Sequence, residues 1–418
     1  MGNADALNRT LAREAPGAYG MLSPLGLSAV FPQGIPFQSA QASGVELNAT
    51  IGQLTDGYGE PLPLETLART LVDLDPKKSF LYSPVAGPPA LRKAWGERQR
   101  RLAGDPQVEV STPIATHGLT HGISLSASLF GTPETRVLIP DHHWGNYPLL
   151  FKMNAGCDVR TYPLFNGRRF DPQGLARALE DSPGKTMVML NFPNNPTGYA
   201  PTTDEVQQIV EIIASHPRPL VTVTDDAYQG FVYSQDAHPR SVFWDVAEAI
   251  DRDRSVAVKV DGATKEMLFF GSRLGFITHT AAGAAEAAME SKIKMVIRGV
   301  VGSISGPAAA MVEHALKTEA IREEMAAKMT MMRGRYEALQ ACIGMLPDDV
   351  TPLPFNSAFF AVFMLPDRLD AERVREELLE HDVGVISLGR SNAIRVAYCS
   401  LDAPRIPPLM ERVAKALS

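Results

Sequence analysis

Four short apolar runs, each closed by polar residues, Gly or Pro, limit the fold of this chain more than any other feature. They are Arg136–Pro140, Thr186–Asn191, and residues 221–225 and 256–260. Helical patterns such as Thr203–Ser215 lie between them, and another over residues 282–295 follows the last run. Buried strands alternating with helices predict an α/β domain around a largely parallel sheet. After about residue 306 the pattern changes. A long helical stretch over 308–345, a strand over 358–364, a helix over 370–381 and a strand near 395–398 predict a smaller α+β domain. The first 45 or so residues are rich in Gly, Pro and Ser and read as an irregular arm. At roughly 150 residues per domain the length allows two to three domains. The patterns divide it into an arm, 1–48, packed with the small domain; a large domain, 49–310; and the small domain, 311–418.

Composition narrows the function. With 45% apolar and 21% charged residues the chain can bury a large core and is not disordered. A net charge of −7 disfavours nucleic-acid binding, which needs a basic surface. Cys157, Cys342 and Cys399 are too few and too scattered for a disulfide scaffold and suit a reducing interior. No run of 18 apolar residues predicts a membrane span. The N-terminus lacks the basic start and apolar run of a signal peptide. Gly2 does not complete a myristoylation motif, because Ala6 stands where Ser or Thr is needed. The expectation is a cytoplasmic protein.

Ligands of open α/β sheets bind beyond the carboxyl ends of the strands. Three such ends carry polar groups: Asn-Phe-Pro-Asn-Asn-Pro-Thr-Gly at 191–198, Asp-Asp-Ala-Tyr at 225–228, and Asp-Gly-Ala-Thr-Lys at 261–265. A further run, Ile-Ala-Thr-His-Gly-Leu-Thr-His-Gly-Ile at 114–123, passes from a strand into a helix opened by Gly118, Leu119 and Thr120. A helix N-terminus there is suited to an anion.

Taken in this order, the motifs resemble the fold-type-I aminotransferases that use pyridoxal phosphate, of the aspartate and aromatic kind, from about Asn48 to Tyr398. The most specific part is Lys265 followed eight residues later by Arg273. The resemblance implies a homodimer with sites at the subunit interface. It implies an enzyme that passes an amino group from an L-amino acid to a 2-oxo acid through a lysine imine and a pyridoxamine form of the cofactor. Lys265 would be both anchor and proton-moving base, and Arg273 with Gly118, Leu119 and Thr120 would hold the cofactor phosphate. Asp225 would keep the pyridine nitrogen protonated, since a buried carboxylate can enforce that. Asn195 and Tyr228 would bond the ring oxygen, and Trp144 would stack on the ring. Tyr82 would reach the neighbouring subunit's phosphate. Arg395 would take the substrate α-carboxylate, with Arg390 as its rival, because the guanidinium fork matches a carboxylate. Gly52, with Ile51, would close over the substrate beside Trp144 and Asn195. Arg298 would reach across the dimer to a side-chain carboxylate. The chain departs from the family at Gly262, where Ser is frequent. A pyridoxal-phosphate lyase or decarboxylase is the alternative that the same motifs serve.

Competing signals are weaker. His117 and His121 are spaced i, i+4, and His142 and His143 follow, but the zinc-protease motif needs Glu where Gly118 stands. No metal site is expected. Gly184-Lys-Thr186 ends like a phosphate loop, yet its first glycine would fall at Leu179 and it precedes a strand. A transcriptional regulator carrying an aminotransferase-like domain would need a DNA-binding module, for which the arm is too short.

Overall fold

Apolar alternation along each run sorts side chains to two faces, and both faces are covered. Among the residues that the computed structural model describes, 4–30 and 34–418, the large sheet has seven strands. We label them β1 (Ile114–Thr116), β2 (Arg136–Pro140), β3 (Asp158–Tyr162), β4 (Thr186–Asn191), β5 (Leu220–Asp225), β6 (Ser255–Gly262) and β7 (Gly275–His279). Their spatial order is β1-β7-β6-β5-β4-β2-β3. Pairing is parallel except where β7 runs antiparallel to β6 and β1. Val137, Ile139, Met187, Met189, Val221 and Val223 enter one core, while Leu138, Val188 and Leu190 enter the other. This period of two with both faces buried is what a helix-covered parallel sheet requires.

The helix Leu119–Phe130 covers the first face, with Gly122 against Val260. The helices Thr203–Ser215 and Val242–Ala249 cover the second. Thr202 and Glu205 form a capping box that fixes the start of Thr203–Ser215.

The second sheet is antiparallel: β8 (Thr351–Pro352), β9 (Ala361–Met364), β10 (Ile386–Leu388) and β11 (Ala393–Val396), in the order β8-β9-β11-β10. Leu47–Asn48 pairs in parallel with Val383–Gly384, and Gln38 exchanges hydrogen bonds with Ser387. Residues 38–48 thus lie against the small sheet.

Three local expectations change. The arm is helical over Ala4–Glu14, Pro16–Gly20, Pro24–Ser28 and Ile35–Gln41. Its prolines mislead because Pro16, Pro24 and Pro36 occupy first turns, where a missing N–H costs nothing. The helical stretch over 308–345 is two helices, Gly306–Leu316 and Ala320–Cys342. Between them Thr318 donates its hydroxyl hydrogen to the carbonyl of His314, a local bond that competes with helix continuation. Two strands, β3 and β7, escape the run pattern; β3 is a half-exposed edge carrying Asp158 and Arg160. Gly2 lies outside the described residues. Among the described residues no helix is long and apolar enough to cross a membrane.

Candidate active site

Strands β4, β5 and β6 end side by side, with Asn191 opposite Asp225 and Asp225 opposite Val260. Asn191 ties the turns together: its amide nitrogen donates to the Asp225 carbonyl at 2.9 Å, and its side-chain oxygen accepts from the Asn195 N–H at 2.8 Å. Alternation puts the Asp225 side chain on the Val221 and Val223 face. There its carboxylate accepts from the Tyr147 hydroxyl at 2.5 Å and from the Ala227 N–H at 3.2 Å. Burial pushes the Asp225 carboxyl above its usual range, opposed by the Tyr147 hydrogen bond and the charge of Lys265. Asp226 turns to the other face, where Ser241 donates to it at 2.5 Å.

Lys265 sits on the four-residue helix Ala263–Glu266, just beyond β6. Its amine lies 5.4 Å from the centre of the Tyr228 ring. Burial holds that amine below the usual lysine range; Arg273 adds to the effect and Asp225 opposes it. These three charged groups therefore share one space. Gly118 opens the helix Leu119–Phe130 at φ +78°, and a side chain there would meet the Arg273 guanidinium at 2.8 Å. No side chain caps this helix, so the first-turn N–H groups of Leu119 and Thr120 and the Arg273 cation flank one cradle. At 262, a Cβ would stand 2.6 Å from the Leu274 carbonyl, which excludes the frequent Ser.

Arg395, on β11, is 2% exposed. One nitrogen donates to the Thr50 carbonyl at 2.7 Å, its guanidinium stacks 4.2 Å from the Phe360 ring centre, and its Nε has no partner. Among the described residues no carboxylate pairs with it, and burial pulls it down to about 10. Tyr228 joins the two halves: its ring lies edge-on to Phe360 at 5.7 Å, and its hydroxyl, raised by burial, feels the Arg395 charge. Gly52 lies against Phe360, whose Cζ is 2.4 Å from where a Cβ would stand. Trp144 is partly buried, edge-on to Tyr147 at 5.6 Å, and Asn195 is held by its backbone at the β4 turn.

The structure thus gathers Lys265, Asp225, Tyr228, Arg273 and Gly118 with its helix start, and sets Arg395 and Gly52 beside them through Tyr228 and Phe360. Tyr82 is 97% exposed, and Arg298 and Arg390 are exposed as well, with the Arg390 charge felt by His143 next to Trp144. Tyr147 was missed by the sequence reading, although it stands three residues after Trp144; its position at a helix start beyond β2 is the signal that could have found it. Of the histidines, His121 accepts from the His117 N–H at 3.1 Å and is pulled down to about 4 by burial and by His117. Among the described residues no group of three or more His, Cys, Asp or Glu is placed to hold a metal ion.

A family model for aminotransferase class I and II matches residues 46–413. The chain is 27% identical over 391 residues to the cytoplasmic aspartate aminotransferase of Oryza sativa subsp. japonica, covering 90% of this chain and 92% of that one. It is 26% identical to the cytoplasmic aspartate aminotransferase of Caenorhabditis elegans, covering 90% and 91%. The crystal structure of an aminotransferase from Anaerococcus prevotii superposes with a TM-score of 0.82 at 18% identity, over 95% of this chain and 99% of that one. These findings favour amino transfer over lyase or decarboxylase chemistry.

Proposed function

The chain belongs to the class I and II aminotransferases and transfers amino groups, and from that premise we propose that it holds pyridoxal 5'-phosphate between Asp225, Lys265 and the cradle of Gly118 and Arg273. The fit is supported by this chain's own chemistry. The uncapped helix start and Arg273 suit a phosphate, and the buried Asp225 carboxylate, braced by Tyr147, suits a ring nitrogen that must stay protonated. When bound, the cofactor supplies an aldehyde for the amine and a ring that accepts electrons. Lys265, its amine kept readily deprotonated by burial, anchors that aldehyde and then moves a proton at the substrate α-carbon. Tyr228 and Asn195 orient the ring oxygen, Thr120 and Leu119 add donors to the phosphate, and Trp144 covers the ring.

The observation that carries the reading is Arg395: a buried guanidinium with an unpartnered Nε and, among the described residues, no carboxylate of its own, beside the Tyr228 ring that faces Lys265. Leaving a charge buried and unpaired is costly, and a substrate α-carboxylate completes it. The names of the relatives support an acidic amino acid as one member of the substrate pair, with Arg298 from a second copy reaching its side chain. A homodimer is supported by apolar side chains left in water, among them Val72 at 84%, Phe80 at 87% and Tyr82 at 97% exposure. Three free, buried cysteines support a cytoplasmic location.

Purified protein given the cofactor should be yellow, and Lys265→Ala should release the colour on dialysis against an amine. Single amino acids should convert the bound aldehyde stoichiometrically, and a 2-oxo acid should reverse the change. Release of ammonia or carbon dioxide with turnover would overturn the reading. Arg298→Leu should lose acidic substrates selectively across a panel.

A further inference from the structure

On the face of the sheet turned away from Lys265 lies a second set of buried charges that the proposed chemistry does not use. Ala257, Lys259 and Asp261 alternate with Val258 and Val260 along β6, so Lys259 and Asp261 point opposite to the helix Leu119–Phe130. Lys259 is 1% exposed. Its ammonium pairs with Asp261, lies 3.2 Å from Asp226, and donates to Gln99 and Gln229 at 3.1 and 3.0 Å. Trp95, on the helix Pro89–Leu102, donates to Asp261 at 2.9 Å. From the same helix Arg98 pairs with the fully buried Glu266, to which Gln99 also donates.

The chain positions are what give this cluster meaning. Asp226 directly follows Asp225, and Glu266 directly follows Lys265. Asp225 and Lys265 are therefore each back to back with a carboxylate of the cluster, one peptide unit away on the other face. We infer that the cluster centred on Lys259 is a positioning unit, which holds the two turns presenting Asp225 and Lys265 at fixed spacing from behind the sheet and sets the background charge against which Lys265 works. The inference rests on the cofactor reading given above.

Among the described residues, three carboxylates, Asp226, Asp261 and Glu266, face two cations, Lys259 and Arg98. One oxygen on Asp226 and one on Glu266 have no partner among the described residues. Buried carboxylates in excess retain a proton. Burial pushes Glu266 up to about 7 against the pull of Arg98, and Asp226 up to about 6 against that of Lys259. The groups facing Glu266 are Arg98 from the helix, and Lys259 and Asp261 from β6; Asp226 faces Lys259, Asp261 and Ser241. A cleft of about 420 Å³ lined by Gln99, Ser111, Trp244, Thr278 and Lys259 lies on the cluster's side of the sheet.

Two variants test this, read by cofactor affinity of the apoprotein and by the pH midpoint of the visible absorbance. Lys259→Met leaves Asp226 and Asp261 in mutual repulsion and should weaken cofactor binding at least about tenfold. Glu266→Gln, nearly isosteric, should fold as the wild type does and lower the absorbance midpoint by about 0.5 unit, because the negative charge that Glu266 carries above about pH 7, one residue from Lys265, is gone. If Lys259→Met does not fold, the Glu266→Gln midpoint decides alone. Unchanged affinity and midpoint, with only a lower melting temperature, would show a purely structural cluster and overturn the inference. A wild-type protein that takes up no cofactor would instead remove the reading beneath it, and the two failures are distinguishable.

Discussion

Arg335 and Arg395 are both buried and both reach the segment that carries Ile51 and Gly52, yet one is satisfied and the other is not. Arg335, on the helix Ala320–Cys342, donates to the Cys399 carbonyl, to the Thr55 carbonyl at 2.7 Å, and to the Asp402 carboxylate at 2.9 Å. Arg395 has one carbonyl, an aromatic ring and an open Nε. Folding demands what Arg335 has, because an uncompensated buried charge is destabilising. A fold that tolerates Arg395 with an open Nε and, among the described residues, no carboxylate partner fits the substrate-carboxylate role proposed for it. The same contrast separates the two faces of the large sheet: Lys259 is fully engaged, whereas Lys265 has only charges near enough to shape its basicity.

The largest test of that contrast is Arg395→Met. The value of kcat/KM for amino acids should fall about 10³-fold, while stability holds or rises, because the lost contacts are made to substrate. Equal loss of stability would erase the distinction. Arg335→Met is the mirror experiment: stability to urea should drop by about 3 kcal/mol, with less than a tenfold change in kcat/KM of the folded protein. Tyr147→Phe removes one hydrogen bond to a buried carboxylate and should weaken cofactor binding about tenfold, read by titrating the apoprotein.

The smallest effect is on pH. Glu266 has its carboxyl raised in the folded state to about 7 from an ordinary value of 4.5. Its contribution to stability is thus fully present below about pH 4.5 and lost as pH rises through about 7. Glu266→Gln should flatten that part of the pH–stability curve, measured by melting temperature across buffers. A curve with unchanged slope would mean that Glu266 stays charged in the fold.

The central strands were legible because apolar runs with Gly, Pro or polar ends are local signals: Arg136–Pro140 and Thr186–Asn191 match the observed strands residue for residue. Asp225 at the end of one such run and Lys265 beyond another were legible as candidates once the order of these strand ends was set beside the family they resemble. What was not legible is the set of partners that chain distance hides. Tyr147 finds Asp225 across 78 residues, and Lys259 finds Gln99 across 160. Lys259 stands inside an apolar run, and apart from Asp261 two residues on, its partners Asp226, Gln99 and Gln229 come from distant parts of the chain. The β3 edge was missed because Asp158 and Arg160 dilute its apolar pattern, as charges on an edge strand do.

The contact between Gly52 and Phe360 sets a limit on how this enzyme can diversify. The Phe360 ring stands 2.4 Å from where a methyl group at 52 would stand, so Gly52 and that ring pack directly on each other. A side chain at 52 has to displace the Phe360 ring, so a change of substrate range built on the site proposed here would begin at Phe360. A smaller residue there deepens the pocket and at the same time takes away the ring on which Arg395 rests. Any lineage that broadens its diet by this route must find Arg395 a new support.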